Sequence, residues 1–171
     1  MLLYLIRHAE AELIGLGGVT QDFDRPLTNR GREQARSLAQ ALMKRQVIID
    51  GIAASPLVRA YQTAIEFLSV ISPGMRPTTC DHLAIGRLKR HQLSSFLAHL
   101  PPAGNRTPSR EEKSVVAIGH MPDLAAYLEW LIGAASGSIH IPKAGVACVQ
   151  FETEPAKASG QLLWLVPPEW C

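Results

Sequence analysis

The sequence predicts an α/β fold: a three-layer sandwich with a mostly parallel central sheet, helices on both faces and antiparallel strands at the C-terminal end. Three observations predict it. Strand-like apolar runs alternate with stretches of helical periodicity as far as Ile132. Two of the runs, Leu2 to Ile6 and Ser114 to Ile118, are short and almost wholly apolar, as strands covered on both faces are. Near the end, Gly145 to Phe151 and Gln161 to Val166 alternate with a period of two on either side of a loop from Glu154 to Gly160, the pattern of an antiparallel pair.

Taken in order, Leu2 to Ile6 is the first strand. Gly15 to Gly18 and the polar stretch to Asp24 form a loop that lacks the Gly-Lys-Ser/Thr ending of a nucleotide P-loop. Thr28 or Asn29 caps the first helix, on which Leu38, Ala41 and Leu42 recur at helical spacing. Val47 to Ala54 returns as a strand interrupted at Asp50-Gly51. Ser55 and Pro56 have the types expected of a cap and a first helical residue, and the second helix runs on through Arg59, Thr63 and Phe67 to a stop at Ser72-Pro73-Gly74. Arg76 to Cys80 reads as a short edge strand and Leu88 to Leu100 as a third helix, stopped by Pro101-Pro102. The polar, proline-bearing stretch Pro101 to Arg110 is the expected mobile loop, and it could fold over a pocket. Ser114 to Ile118 is the next buried strand, and Pro122 starts a helix to about Ile132.

The 171 residues are expected to form one domain spanning 1–171, with no internal repeat and no linker. With 47% hydrophobic and 19% charged residues, the composition is that of a soluble globular protein. The formal charge is only +2, and no lysine or arginine run builds a stripe for nucleic acid. No apolar run approaches the roughly 18 residues of a spanning helix, so neither a membrane nor a nucleic acid is expected as a partner. Cys80, Cys148 and Cys171 are far apart and form no CxxC pattern, which suits incidental thiols in the cytoplasm. His91 and His99 lie on one helix without a carboxylate at ligand spacing and are read as solvated, not metal-binding. The pattern carries no signal for an oligomeric state.

Three polar features fall where a strand feeds a loop or helix: Arg7-His8, Ser55 through Arg59, and Gly119-His120. In a parallel sheet such ends share one edge, where ligands bind. A neutral imidazole can attack phosphorus, and a guanidinium can hold two phosphate oxygens at once. Arg59 would sit in the first turn of its helix, where the macrodipole disfavours a cation unless an anion is near. Gly119 would let the backbone approach a ligand closely.

Leu5-Ile6-Arg7-His8-Ala9, the run Ser55-Pro56-Leu57-Val58-Arg59-Ala60-Tyr61-Gln62-Thr63-Ala64, and Val116-Ala117-Ile118-Gly119-His120 together resemble the histidine phosphatase superfamily, the fold of the phosphoglycerate mutases. Small size, Arg25-Pro26-Leu27-Thr28 and brief insertions resemble its phosphohistidine phosphatase branch. The resemblance spans about Met1 to Ile132, with weaker support from Trp164 to Pro168. It implies that His8 is the nucleophile, that Arg7 and Arg59 clamp phosphate, and that His120 contacts a phosphate oxygen and, if protonated, adds positive charge in the transition state. It also implies that Arg25 can reach the phosphate, although an arginine there could instead pair with Asp22 or Asp24. No metal or organic cofactor is expected, because these arginines and histidines already supply positive charge.

The chain departs from the wider superfamily at Ala9, where many members have glycine, and at the general acid. Members acting on alkyl phosphates carry a glutamate after the third strand, and the corresponding position here is Ile85, with Asp81 and His82 as possible substitutes. Losing the acid forfeits about 10²–10⁴-fold on alkoxide leaving groups, whereas the phosphoramidate of phosphohistidine has a weaker bond and can do without. The expected substrate is therefore phosphohistidine on a protein. The alternatives are a small phosphate ester with Asp81 or His82 as acid, or a non-catalytic phosphate-binding adaptor.

Overall fold

The computed structural model describes residues 1–15, 18–101 and 113–170. Strand β1 (Leu2–Arg7) lies inside a six-stranded sheet. On one side it pairs in parallel with β4 (Ser114–Gly119), which pairs in parallel with β2 (Gly51–Ala54), and β2 with the two-residue edge strand β3 (Thr78–Thr79). On the other side β1 pairs antiparallel with β5 (Val146–Gln150), and β5 with β6 (Gln161–Val166). Four helices, α1 (Asn29–Lys44), α2 (Val58–Ile71), α3 (Arg90–Ala98) and α4 (Asp123–Ile132), complete the α/β sandwich. Among the described residues no helix is long and apolar enough to cross a membrane.

Strand alternation divides the core into two faces. Leu3 and Leu5 of β1, with Val115 and Ala117 of β4 and Ala147 and Val149 of β5, pack with Leu93 and Leu97 of α3 and Leu124, Tyr127 and Leu128 of α4. Tyr4, Ile6, Val116, Ile118, Val146 and Cys148 point the other way, onto Leu38 and Leu42 of α1 and Ala60, Ala64 and Phe67 of α2. A fully buried side chain such as Phe67 contributes about 1.5–3 kcal/mol over leaving it in water. A one-residue slip of β1 would turn Leu3 and Leu5 to the other face, so its register is strongly specified. That register sets Arg7 opposite Gly119, and β2 and β4 set Ala54 opposite Ile118. The ends of the three strands are therefore level.

Several boundaries differ from the sequence pattern, each for a local reason. Val47 to Asp50 lies outside β2, because α1 ends in a Schellman closure: Gln46 is left-handed (φ 59°), the Gln46 N–H bonds to Met43 O and the Val47 N–H to Leu42 O. Thr28, not Asn29, caps α1, accepting from the Gly31 N–H at 2.9 Å. The second helix begins at Val58, capped by Leu57 without a side-chain bond. Ser55 is thus not the cap that its place before Pro56 suggested. The third helix is trimmed to Arg90–Ala98, β3 to two residues, and Pro122 is the cap of α4, not its first residue. Within the loop after β1, Asp22–Asp24 makes a 3-10 turn and Ala11 bridges Leu27. Most of the Pro101 to Arg110 stretch lies outside the described residues.

Candidate active site

His8, Ser55 and His120 each take the first position past a parallel strand: β1, β2 and β4 respectively. The ladder continues into them, since His8 N–H donates to Gly119 O (3.0 Å) and Ser55 N–H to Ile118 O (2.9 Å). Arg59 enters from the first turn of α2, and Thr63 one turn later ties that helix to β1: its Oγ1 accepts the Ala9 N–H at 3.1 Å and donates to Arg59 O at 2.7 Å. Gly119 is small for packing more than for ligand approach, because a Cβ there would meet Leu83 O at 3.2 Å and the Leu124 side chain at 3.3 Å.

The two histidine rings lie 5.0 Å apart between centroids, tilted by 53°. His8 Nδ1 is 2.7 Å from Ala9 O, an acceptor that puts the proton on Nδ1 and leaves the lone pair on Nε2. Arg59 Nε donates toward that Nε2 at 3.3 Å. His120 Nε2 is 2.8 Å from Ser55 Oγ, while its Nδ1 is buried with no partner among the described residues. Arg7 gives Nη1 to Ile141 O at 3.0 Å, and its buried Nε is likewise unpartnered.

Burial is the first cause of the histidines' acidity, with cations next to them reinforcing it. Desolvation pushes His8 down to about 4, against a raising bond to Ala9, and Arg59, Arg7 and Lys143 lower it further. Desolvation, then His8 and Arg59, push His120 down to about 3. Both rings are therefore neutral near pH 7. The two guanidiniums stay charged, although burial lowers Arg7 and Arg59 from the ordinary value.

Asp22, on the 3-10 turn, occupies the Arg59 fork: Arg59 Nη1 donates to Asp22 O at 2.6 Å and Nη2 to Asp22 Oδ2 at 2.9 Å. Arg25 meets the same carboxylate, Nη1 to Oδ1 at 2.9 Å, and also binds Glu12 O. Burial would raise the Asp22 carboxyl, but the Arg25 and Arg59 bonds outweigh it and hold it below the ordinary range. Arg25 thus reaches Arg59 through Asp22. Asp81 and His82 sit on a 3-10 turn (Asp81–Leu83), and among the described residues neither bonds to Arg7, His8, Arg59 or His120. Asp81 instead lines a groove of about 310 Å³ with Phe23, Leu57, Ile85 and Arg87. Among the described residues no group of three or more His, Cys, Asp or Glu could hold a metal ion.

Residues 3–84 match the family model of the histidine phosphatase superfamily (branch 1). An uncharacterized protein of Picosynechococcus sp. is 32% identical over 173 residues, covering 99% of this chain and 98% of the relative. The chain belongs to the histidine phosphatase superfamily. It is a phosphatase, a hydrolase of phosphoryl groups, and its fold agrees with that of a solved protein histidine phosphatase SixA complexed with tungstate, at a TM-score of 0.78 and 23% identity over 98% of this chain and 97% of that one. A phosphoserine phosphatase 1 of Hydrogenobacter thermophilus is 44% identical over 64 residues, 37% of this chain and 29% of the relative.

The sequence pattern places Ser55 on the site's edge but only as a helix cap, and it does not single out Thr63 or the Asp22 to Arg59 pair. Ser55 carried a misleading signal, the Ser-Pro pattern of a helix start, and Asp22 only its spacing of three from Arg25.

Proposed function

We propose that this phosphatase removes the phosphoryl group of phosphohistidine on a protein, through a phosphohistidine intermediate at His8 Nε2. The observation that carries the reading is the bonding of the nucleophile: with Nδ1–H given to Ala9 O, Nε2 is the unprotonated nitrogen, facing the buried Arg59. In the first step Nε2 attacks phosphorus while the bond from phosphorus to the substrate imidazole nitrogen breaks, its electron pair leaving with that nitrogen; the substrate ring, protonated on its other nitrogen, departs as neutral imidazole. In the second, water attacks phosphorus, the bond to Nε2 breaks, and inorganic phosphate and neutral His8 are released with one proton passing to solvent. Arg7 and Arg59 supply charge-assisted donors to the oxygens on which negative charge builds.

The choice of leaving group rests on Ile85, an exposed apolar residue at the position that the family resemblance assigns to the general acid of alkyl phosphatases. The oxyanion held by the SixA neighbour is in keeping with the pocket proposed here. The buried thiol of Cys80 suits a cytoplasmic setting. A small-ester reading draws on one observation, that Asp81 lines the same groove. Comparing kcat/KM for a phosphohistidine protein and an alkyl phosphate, with His8→Ala as the control, separates the two. The phosphohistidine protein is expected to lead by about 10²-fold or more. Equal or faster alkyl phosphate turnover that collapses in Asp81→Asn would establish the small-ester reading instead.

A further inference from the structure

Ser55 is completely buried, and its hydroxyl stands between two groups. The Leu57 N–H donates to Oγ at 3.3 Å, and His120 Nε2 lies 2.8 Å from the same atom. An oxygen that accepts from Leu57 still has its own proton to give, and Nε2 is the acceptor within reach. In the reverse arrangement, with an Nε2–H donating to Oγ, the proton of a buried serine would have no acceptor among the described residues.

We propose that Ser55 is a positioning residue that holds His120 as its Nδ1–H tautomer, so that the neutral ring donates a hydrogen bond to the bound phosphoryl group. The inference rests on the phosphatase reading of the pocket and adds to it a residue and a protonation state. His120 Nδ1 is the atom left buried and unpartnered, as a donor awaiting an anion would be. Because burial keeps the ring neutral near pH 7, it has one ring proton, and the position of that proton decides its use. On Nε2 it would leave a lone pair facing phosphoryl oxygens. On Nδ1 it makes a donor placed where charge accumulates in the transition state. His8 is held in the complementary sense, through Nδ1–H to Ala9 O, so one ring offers a lone pair and its neighbour, 5.0 Å away, an N–H.

The test is the ¹⁵N spectrum of the full chain with labelled histidine at pH 7, His120 being assigned by difference from His120→Gln. The wild-type protein, measured without substrate, is expected to carry the proton on Nδ1 with Nε2 bare. In Ser55→Ala the proton should move wholly or partly to Nε2, the tautomer favoured in water, and kcat on p-nitrophenyl phosphate should fall about tenfold or more with a smaller change in KM. Ser55→Cys, close in size and a much weaker donor, should move both readouts the same way and serves if the alanine variant does not fold. A wild-type His120 protonated on Nε2 or on both nitrogens would overturn the proposal. So would a folded Ser55 variant with the wild-type tautomer and kcat. Failure of the phosphatase reading is a separate result, seen as activity that survives His8→Ala.

Discussion

Because Asp22 fills the fork of Arg59, a phosphoryl group that uses that fork has to exchange with a carboxylate, and Asp22→Asn is expected to tighten anion binding. The Asp22 side chain is 46% exposed, so solvent screens the pair and its worth is about 0.2–1 kcal/mol, not the several kcal/mol of breaking a buried one. Arg59, at 2% exposed, moves the figure toward the upper end. Asparagine keeps the shape and the backbone bond from Arg59 Nη1 to Asp22 O but removes the competing charge. At 1.4 kcal/mol per factor of ten, the dissociation constant for inorganic phosphate should fall by up to about fivefold. Isothermal titration of both proteins with phosphate, at one pH and one ionic strength, measures it. Unchanged or weaker binding in Asp22→Asn would refute the exchange and make Asp22 a support that holds Arg59 ready.

Two further outcomes are expected. His8 and His120 are depressed to about 4 and about 3 from an ordinary value of 6.5, so as pH falls below 6.5 the unfolded chain takes up protons before the fold does. Their contribution to stability is complete above pH 6.5 and is lost as pH falls toward those values, on the order of 2–3 kcal/mol from His8 by pH 4.5. Urea melts across this range should show the wild type declining more steeply than His8→Gln, and parallel curves would contradict the depressed value. Gly31→Ala would drive a Cβ into Glu10 O, a carbonyl pinned by the Thr28 N–H at 3.1 Å, so a loss of about 3 kcal/mol or more is expected where alanine in a helix normally helps. A neutral melt would place Glu10 and α1 further apart than they are here.

Much of the fold was legible because burial on two sides leaves a plain mark. Leu2 to Ile6 and Ser114 to Ile118 are short apolar runs suited to interior strands, and as parallel neighbours they bring Arg7-His8 and Gly119-His120 to one edge. Val47 to Ile49 was misread as strand, since apolar residues there serve the return from α1 and the deciding feature is a left-handed Gln46, a residue with no glycine to announce it. Ser55 was misread for a deeper reason. A cap and a histidine partner look alike along the chain, and only the third dimension brings His120, 65 positions away, to its hydroxyl. Asp22 was legible as an acid near Arg25, but its contact with Arg59 depends on how the loop after β1 folds back over α2, held by Leu27 N–H on Gln62 Oε1 at 2.8 Å.

The nucleophile itself can be tested by acid-free rapid quench of the enzyme with a ³²P-labelled phosphohistidine protein, followed by peptide mapping of the trapped phosphoryl group. The geometry of His8 predicts label on that residue within the first turnover, stable to base and lost in acid, and absent from His8→Ala. Turnover without any trapped label, or label on a residue other than His8, would contradict it.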